Sequence, residues 1–340
     1  YKKAIKCKRY RPDVMEYTDR LEENLIELQN ELIWKTYSVG QYNIFYVYEP
    51  KKRLIMSLLF KDRVAQHAIY RQVNPIFEKK FIFDSYACRV GKGTHKAIDR
   101  LQYWLKQTDR KPKKYYYLKL DVSKYFYRID HGILKKILAK MIDDPPLLDL
   151  LAKIIDCEDT KFGLPLGADI GDVAFDRMLD DVGLPIGNLT SQMFANLYLN
   201  ELDQFCKHKL RLHFYIRYMD DIIILHDDKK YLEKIKQDIA VFLGKKLNVQ
   251  LNNKTCIRPI SMGIAFVGFR VWATHRKLRK KTAKKLKRRL QYMFHAYTIG
   301  EIDKDTLDRS VASYRGILQH FDSYGLRKSL NEMYKKEVCG

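Results

Sequence analysis

The chain has 340 residues, enough for one large domain or for several subdomains that share a continuous core. With 64 Lys and Arg residues against 41 Asp and Glu residues, its formal net charge is +23, and 46% of its residues are hydrophobic. This composition excludes a disordered chain and favours a polyanionic partner such as nucleic acid over a merely solvated basic surface or a membrane surface, and no apolar run approaches the roughly 20 residues of a transmembrane helix.

The first third of the chain predicts helices on either side of a hairpin. Apolar residues at helical spacing predict a helix over 16–37, and the same periodicity returns over 61–80. Between them, residues 42–60 alternate like a β-hairpin, with Glu49-Pro50-Lys51-Lys52 as its turn. Residues 81–105 predict a loop that leads into another helix.

The middle of the chain alternates strand and helix patterns. One strand ends near Asp121, and helical patterns follow over 131–141 and 145–155. The polar, acidic segment 157–182 lacks either periodicity and predicts an irregular insertion. A further helix is predicted over 188–208.

The last third begins with a helical pattern over 229–246 and continues with a strand predicted over 264–273. The sequence that follows is dense in Lys and Arg, and it predicts a helix with Leu278, Leu286 and Leu290 on one face. Such a helix packs on its apolar side and meets anions on the other. A solvated basic helix is the alternative.

The most specific feature is Tyr218-Met219-Asp220-Asp221, which lies between two apolar runs and predicts a strand, a two-residue turn and a strand. Adjacent carboxylates in apolar surroundings repel each other and are costly unless a cation neutralises them. Asp121 has a similar apolar context, and three carboxylates converge if these strands are neighbours in one antiparallel sheet. Oxygen ligands without His or Cys select Mg²⁺, with Mn²⁺ as a substitute, and two such ions promote in-line phosphoryl transfer. The alternative is that these acids belong only to turns and helix caps.

Seven segments, taken in chain order, resemble the motifs of reverse transcriptases. They are "RLIMSLLFKDRVAQHAI", "FIFDSYACRVGKGTHKAI", "LKLDVSKYFYRIDH", "GLPIGNLTSQMFANLYLNELD", "YIRYMDDIIIL", "LNNKT" and "FVGFRV". The resemblance, closest to group II intron and other bacterial enzymes, implies an α+β right-hand polymerase fold. The fingers would cover residues 1–110. The palm would cover residues 111–275, including the insertion, and would contain an antiparallel sheet that carries the carboxylates. The thumb, short, basic and helical, would cover residues 276–340.

The resemblance also implies roles for individual residues. Asp121 and Asp220 would bind two metal ions, Asp221 would complete the carboxylate cluster, and the Val122 carbonyl would add a ligand. Lys254, in "LNNKT", would protonate the departing pyrophosphate. An unremarkable lysine at the end of a strand is the alternative for Lys254.

A nucleotide site follows from the same resemblance. Arg53 would grip the triphosphate of the incoming nucleotide through its guanidinium fork, assisted by Lys51, Lys52 and Arg63. Phe126 would exclude ribonucleotides by steric conflict with the sugar 2′-hydroxyl, unless it is an ordinary core aromatic. The other residues expected at this site are Ile186, Gly187, Gln192, Tyr218 and Met219.

The loop "GLPIGNLTSQ", residues 183–192, departs from the common pattern of the family. Ile186 replaces a Gln and Gln192 replaces a Pro, and this variant resembles the reverse transcriptases of diversity-generating retroelements, which make error-rich cDNA from a template-repeat RNA. Isoleucine supplies shape but no hydrogen bond, so discrimination between bases should lose about 1–3 kcal/mol. The alternative is that Ile186 packs into the palm and fidelity is ordinary.

The expected partners are a template-repeat RNA, the nascent cDNA with its primer, and, from the resemblance, an accessory variability determinant protein. Scattered cysteines without metal-ligand spacing and a start without a signal-peptide pattern suit the cytoplasm of a bacterial or phage-infected cell. Two other interpretations stay open. One is a retron-like or group II intron-like reverse transcriptase of ordinary fidelity, and the other is a catalytically idle RNA-binding relative.

Overall fold

A computed structural model describes residues 1–48, 52–157, 160–165, 167–170 and 173–336. The helices are α1 (Pro12–Asp19), α2 (Leu21–Ile33), α3 (Phe60–Glu78), α4 (Thr94–Asp109), α5 (His131–Ala139), α6 (Pro145–Asp156), α7 (Leu189–Tyr198), α8 (Asn200–Gln204), α9 (Lys229–Leu247), α10 (Lys280–Thr298), α11 (Lys304–Leu318) and α12 (Tyr324–Tyr334). The strands are β1 (Asn43–Val47), β2 (Arg53–Ser57), β3 (Tyr116–Asp121), β4 (Tyr215–Tyr218), β5 (Asp221–His226), β6 (Cys256–Pro259), β7 (Ile264–Phe266), β8 (Phe269–Val271) and β9 (Arg276–Leu278).

The chain divides into two compact units. The first contains residues 1–89, 120–222 and 234–255, and the second contains residues 90–119, 223–233 and those from 256 onward. In the first unit, helices α1, α2 and α3 share one core, in which Val14, Leu28, Phe60 and Val64 are buried together.

The helix predicted over 16–37 is in fact two helices. The break lies at Arg20, whose φ of −120° and ψ of 46° are not helical. The side-chain amide of Asn24 donates a hydrogen bond to the Tyr17 carbonyl at 3.0 Å, and so satisfies an acceptor that the end of α1 leaves free. A local side-chain bond therefore interrupts an apolar periodicity that continues through both helices.

The helix predicted over 188–208 is divided as well. Helices α7 and α8 meet at Leu199, and a wide π-type turn, Phe205–Lys209, follows them. The Leu210 N–H donates to the Phe205 carbonyl, five residues back, at 3.0 Å. These changes in pitch lie where Leu199 and Leu202 are fully buried, so packing decides the helical geometry here.

The predicted hairpin is confirmed. Strands β1 and β2 pair antiparallel, with Val47 opposite Arg53, although the turn residues 49–51 lie outside the described part of the chain. Leu54 and Met56 of β2 are buried against Phe162, whereas every residue of β1 is exposed. The hairpin is thus anchored to the first unit through β2.

The predicted strands around the aspartates form one sheet. Its strand order is β4-β5-β3-β6, and β3 pairs antiparallel with β6 from Tyr116 opposite Pro259 to Lys119 opposite Cys256. Strand β5 is buried from Ile222 to Leu225, as its unbroken apolar run indicates.

The second unit contains a small sheet of order β7-β8-β9. The single strand predicted over 264–273 is wrong, because Val267 and Gly268 form a two-residue turn in which both φ angles are positive, at 39° and 91°. Leu278, predicted on the basic helix, instead lies on β9, where it pairs with Phe269.

The basic helix itself begins at Lys280 and is confirmed as α10. It buries Leu286, Leu290 and Met293 and packs against α11 and α12. Helix α11 begins after Asp303, whose carboxylate accepts from the Thr306 N–H at 2.8 Å. Within the described ranges, no helix combines the length and the hydropathy needed to cross a membrane.

Candidate active site

Asp220 lies in a two-residue turn, Met219-Asp220, which joins Tyr218, the last residue of β4, to Asp221, the first residue of β5. The predicted strand, turn and strand are therefore confirmed. Met219 has a φ of 56°, in the left-handed region. This conformation costs a residue other than glycine about 1 kcal/mol or more, so it is adopted only where surrounding contacts stabilise it.

Arg217 supplies that enforcement. It lies in the middle of β4, is fully buried, and holds the Asp203 carboxylate of α8 through Nε–Oδ1 and Nη2–Oδ2 distances of 2.8 and 2.6 Å. Its Nη1 donates to the Asn196 Oδ1 atom at 2.9 Å and to the Met219 carbonyl at 3.2 Å. The Tyr215 hydroxyl adds a bond to Asp203 at 2.6 Å. This network ties the turn that carries Asp220 to helices α7 and α8.

Sequence reasoning missed this network. The one available signal is Arg217 itself, a charged residue in the apolar run "YIRYMDDIIIL", because a buried arginine requires a partner. Burial works to lower the pKa of Arg217, but the Asp203 carboxylate outweighs it and holds that pKa above its usual value. Asp203 and Asn196 carry no pattern in the sequence that marks them as the partners.

The predicted catalytic aspartates lie in one neighbourhood. Asp121 ends β3, and β5 lies between β3 and β4, so these strands are neighbours as predicted. Burial, with the charges of Asp121 and Asp221, raises the pKa of Asp220 to about 6, while the Arg53 guanidinium acts in the opposite direction. The sheet thus brings three carboxylates and the predicted triphosphate ligand close enough to affect one another electrostatically.

The carboxylates fit a divalent cation in charge and in chemistry. Their mutual repulsion is what a bound cation relieves, and hard oxygen donors suit Mg²⁺. Among the described residues, however, no group of three or more Asp, Glu, His and Cys side chains is placed so that it could hold a metal ion. The side chains as placed therefore offer suitable donors but not a finished three-ligand site.

The loop that carries Lys254 is tied to the end of β3. The Asn252 N–H donates to the Asp121 carbonyl at 2.7 Å, and Val122 forms a bridge with Leu251. Val122 is only 2% exposed, and because its side chain has no atom that can bind a metal, only its carbonyl oxygen suits a ligand role. Lys254 is exposed and its N–H donates to the Asn252 Oδ1 atom at 3.0 Å, so it directly follows the segment paired with Asp121.

The main chain of the loop around Ile186 is paired with β2. The Met56 N–H donates to the Ile186 carbonyl at 3.0 Å, and the Ile186 side chain is half-buried. Gly187 has a φ of 135°, and a Cβ atom there would lie 2.9 Å from the Met56 carbonyl oxygen. Since β2 also carries Arg53, one strand positions both the variant loop and the predicted triphosphate ligand.

Phe126 is held next to the same loop. It lies in a short 3₁₀ turn after β3, and its carbonyl accepts from the Leu184 N–H at 2.7 Å. Its half-buried ring contacts the Tyr125 ring edge-on, with centroids 5.8 Å apart. The main-chain pairing therefore fixes the position of Phe126 relative to the loop.

Two other predicted nucleotide-site residues have side-chain partners within the chain. Arg63, on α3, donates through Nη2 to the Ser57 Oγ atom at 2.6 Å and pairs through Nη1 with Asp13 at 3.7 Å. Gln192 is exposed on α7, and its Oε1 atom accepts from the Cys88 thiol at 3.5 Å. Arg63 thus links α3 to α1 and to β2, the strand that carries Arg53.

Of the two lysines predicted to assist Arg53, Lys52 lies among the described residues. Lys52 is exposed, and its Nζ atom lies 4.6 Å from the centroid of the Tyr46 ring, a cation–π distance. Lys51 lies outside the described residues.

The described part of the insertion 157–182 packs against the variant loop. Gly183 has a φ of 96°, and a Cβ atom there would lie 2.7 Å from the Phe162 carbonyl carbon and 2.8 Å from the Gly163 nitrogen. Lys124, three residues after Asp121, pairs with Asp169 of the insertion at 2.8 Å. The insertion therefore supports the loop and the segment that follows β3.

Comparison with known proteins gives matches over most of the chain. Residues 49–271 match the family model described as reverse transcriptase (RNA-dependent DNA polymerase). The protein YkfC of Escherichia coli (strain K12) is 26% identical over 256 residues, which cover 65% of this chain and 62% of YkfC. A COX1/OXI3 intron 2 protein of Saccharomyces cerevisiae is 23% identical over 262 residues, which cover 63% of this chain and 30% of that protein. The chain thus spans less than two thirds of each relative.

Solved structures of telomerase from Candida tropicalis share the fold. The complex with a TWJ fragment of telomeric RNA has a TM-score of 0.54 at 14% identity and covers 92% of this chain and 59% of that chain. The apo enzyme has a TM-score of 0.51 at 14% identity, with coverages of 88% and 63%. The predicted α+β fold of a right-hand polymerase is confirmed.

Proposed function

Because the chain belongs to the reverse transcriptase (RNA-dependent DNA polymerase) family, we propose that it is the polymerase of a diversity-generating retroelement, which copies a template-repeat RNA into error-rich cDNA. The observation that supports polymerase activity is that Asp121, Asp220 and Asp221 lie close enough for their charges to interact. The observation behind the low fidelity is an isoleucine, Ile186, in the loop paired with the strand of Arg53.

The three aspartates would hold two Mg²⁺ ions, with the Val122 carbonyl as a further ligand and Mn²⁺ as a substitute. Ions held there would supply charge stabilisation for the attacking primer 3′-hydroxyl and for the departing pyrophosphate. The raised pKa of Asp220 means that the site resists full ionisation by itself, so the carboxylates favour a positively charged ligand. Arg217 keeps Asp220 in place by bonding to the carbonyl of Met219.

Three residues would act on the incoming nucleotide. Arg53, whose charge already reaches Asp220, would bind the triphosphate through its guanidinium fork. Phe126, fixed by the bond between its carbonyl and Leu184, would conflict with a 2′-hydroxyl. Lys254, on the loop paired with Asp121, would donate a proton to the leaving pyrophosphate.

Ile186 would loosen the selection of the incoming base. Its main chain is held by Met56, so the substitution leaves the loop in place but removes the hydrogen bonds of the usual glutamine. Losing about 1–3 kcal/mol of discrimination raises the error frequency about 5- to 150-fold. The resemblance adds the expectation that errors concentrate opposite template adenines.

Nucleic acid is the partner that charge and fold support. The chain carries a net charge of +23, and a telomerase of the same fold has been solved with a fragment of telomeric RNA. We therefore include a template-repeat RNA and a primer with its growing cDNA in the proposal. The accessory variability determinant protein and a bacterial cytoplasmic location rest on the resemblance alone.

Primer extension on a defined RNA template, with Mg²⁺ and the four deoxynucleotides, tests the polymerase. The wild-type chain should make cDNA, and Asp220→Asn combined with Asp221→Asn should abolish it. Unchanged synthesis by that double variant would refute the assigned catalytic site. No synthesis by the wild-type chain would favour a catalytically idle RNA-binding relative.

Sequencing of the same products tests the fidelity. Frequent errors in wild-type cDNA that Ile186→Gln suppresses would support the diversity-generating assignment. Accurate cDNA from both proteins would support the second candidate, a group II intron-like or retron-like reverse transcriptase of ordinary fidelity, which the similarity to a yeast intron protein also favours.

A further inference from the structure

Helix α2 has more apolar surface than its own chain covers. Leu28 is buried in the core that α2 shares with α1 and α3, as an amphipathic helix requires. Ile26 and Ile33 project from the same helix with exposed fractions of 57% and 62%, and Trp34 follows with 69%. Ile26 and Ile33 are two turns apart on one face of α2, with Trp34 directly after its end, and exposed apolar side chains grouped in this way are typical of an interface.

A groove runs beside this exposed surface. It has a volume of about 940 Å³ and lies between α2 and α3, with Leu25 and Ile33 on one wall and Val64 and Ala68 on the other. Leu25 and Ile33 are eight residues apart and Val64 and Ala68 four apart, so each wall is one helix face. A groove of this kind accepts the apolar ridge of another helix.

The charges around the groove are divided between its walls. Helix α2 carries Glu22, Glu23, Glu27 and Glu31 and no Lys or Arg. The rest of the rim is basic, with Lys2, Lys3 and Arg71. Glu23 pairs with Arg20, and Glu27 and Glu31 pair with Lys61. Glu22 forms no ion pair with the three cations in the described part of the chain, so these four charges can meet an external partner.

We propose that two copies of this chain associate through these surfaces, about a two-fold axis. The ridge of Ile26 and Ile33 on each copy would enter the groove of the other, and Glu22 of each would face the basic rim of the other. Such a two-fold contact is self-complementary because every pairing occurs twice. The walls of the groove are mostly apolar, so an apolar ridge fits them better than a phosphate backbone does.

Sedimentation velocity of the full chain, free of nucleic acid and measured over a range of micromolar concentrations, tests the proposal. A concentration-dependent dimer is expected, and Ile26→Asp with Ile33→Asp should leave a monomer. Val241→Asp, at another exposed apolar position with an exposed fraction of 54%, is the matched control and should still dimerise. A wild-type monomer, or a dimer that Ile26→Asp with Ile33→Asp leaves intact, would overturn the proposal.

A charge exchange separates this interface from any other mode of association. Glu22→Arg alone and Arg71→Glu alone should each weaken the dimer about tenfold, and the two together should restore its dissociation constant to within about threefold of wild type. Additive loss in the double variant would overturn the pairing. Association that appears only with added RNA would assign the groove to RNA instead. None of these readouts depends on polymerase activity.

Discussion

The carboxyl group of Asp220 is held in the turn between β4 and β5, where burial and two neighbouring aspartates raise its pKa from 3.8 to about 6. The folded chain therefore binds this proton more tightly than the unfolded chain does. In the absence of a bound cation, the free energy of unfolding falls as the pH rises from about 3.8 through about 6, and it recovers when the carboxyl is protonated again. A site prepared for a cation thus weakens the fold that carries it.

We expect Asp220→Asn to stabilise the protein at pH 8 in the presence of EDTA by up to about 2 kcal/mol, because asparagine avoids the cost of ionisation. Urea unfolding measures this gain, which should disappear near pH 4. The exposed Asp143→Asn should change little at either pH. An equal gain at both pH values would point to packing rather than charge.

Arg217 offers a second test at the same scale. Arg217→Met leaves the Asp203 carboxylate buried without its cation, so we expect the free energy of unfolding to fall by about 3–5 kcal/mol and cDNA synthesis to slow. Arg217→Lys keeps the charge but loses the two-point contact with Asp203, so its free energy of unfolding should lie between those of the wild type and of Arg217→Met.

Two further variants define the cause. Adding Asp203→Asn to Arg217→Met removes the uncompensated charge and should recover part of the lost stability. Lys328→Met breaks the exposed pair with Glu332 and should cost less than about 1 kcal/mol. If Arg217→Met cost no more than Lys328→Met, the buried network would not hold the turn.

At the scale of elements, the pairing of the Ile186 loop with β2 depends on a glycine. Gly187→Ala would force a Cβ atom against the Met56 carbonyl at a φ of 135°. We expect a loss of about 1–3 kcal/mol in unfolding free energy and slower primer extension, because the loop must leave the strand that carries Arg53.

Gly244 is the matched control, since it lies inside α9 and no described atom comes within 4 Å of the position that a Cβ atom would take. Gly244→Ala should stabilise the protein by about 0.5–1 kcal/mol through helix propensity. The same change from glycine to alanine should therefore lower the free energy of unfolding at position 187 and raise it at position 244. Similar effects of both substitutions on urea unfolding would contradict the role given to Gly187.

At the scale of the whole molecule, the chain belongs to the reverse transcriptase (RNA-dependent DNA polymerase) family, as the order of its motifs predicted. The net charge of +23 acts over the same scale and makes nucleic-acid affinity sensitive to salt. Helix α10 concentrates this charge, because Lys284, Lys287 and Arg288 are exposed on its surface.

We expect the combined change of Lys284, Lys287 and Arg288 to Gln to flatten the dependence of log affinity on log salt concentration by about 0.9 for each phosphate that the variant no longer neutralises. Fluorescence anisotropy with an RNA–DNA primer-template measures this slope. Lys234, Lys245 and Lys246 on α9, changed to Gln together, remove the same charge as a control. Equal slopes for the two triple variants would mean that only net charge matters.

Much of the site could be predicted from the sequence because its chemistry depends on residue types at short spacing. Asp220 and Asp221 between apolar runs predict a strand, a turn and a strand wherever they occur, and the structure confirms them. Asp121 could be predicted for the same reason, since a carboxylate at the end of a buried strand is stabilised by a cation. The family and its fold follow from the order of such motifs.

Only the tertiary structure decided which residues distant along the chain pair with one another and where local hydrogen bonds end a helix. Arg217 finds Asp203 and Asn196 only when β4 packs on α7 and α8, and no periodicity identifies these partners. Asn24 ends a helix that apolar spacing alone would continue, because periodicity reports the buried face and not where a backbone bond is replaced. The sequence by itself thus determined the family and the candidate catalytic groups, whereas tertiary contacts decided how the turn that carries Asp220 is held.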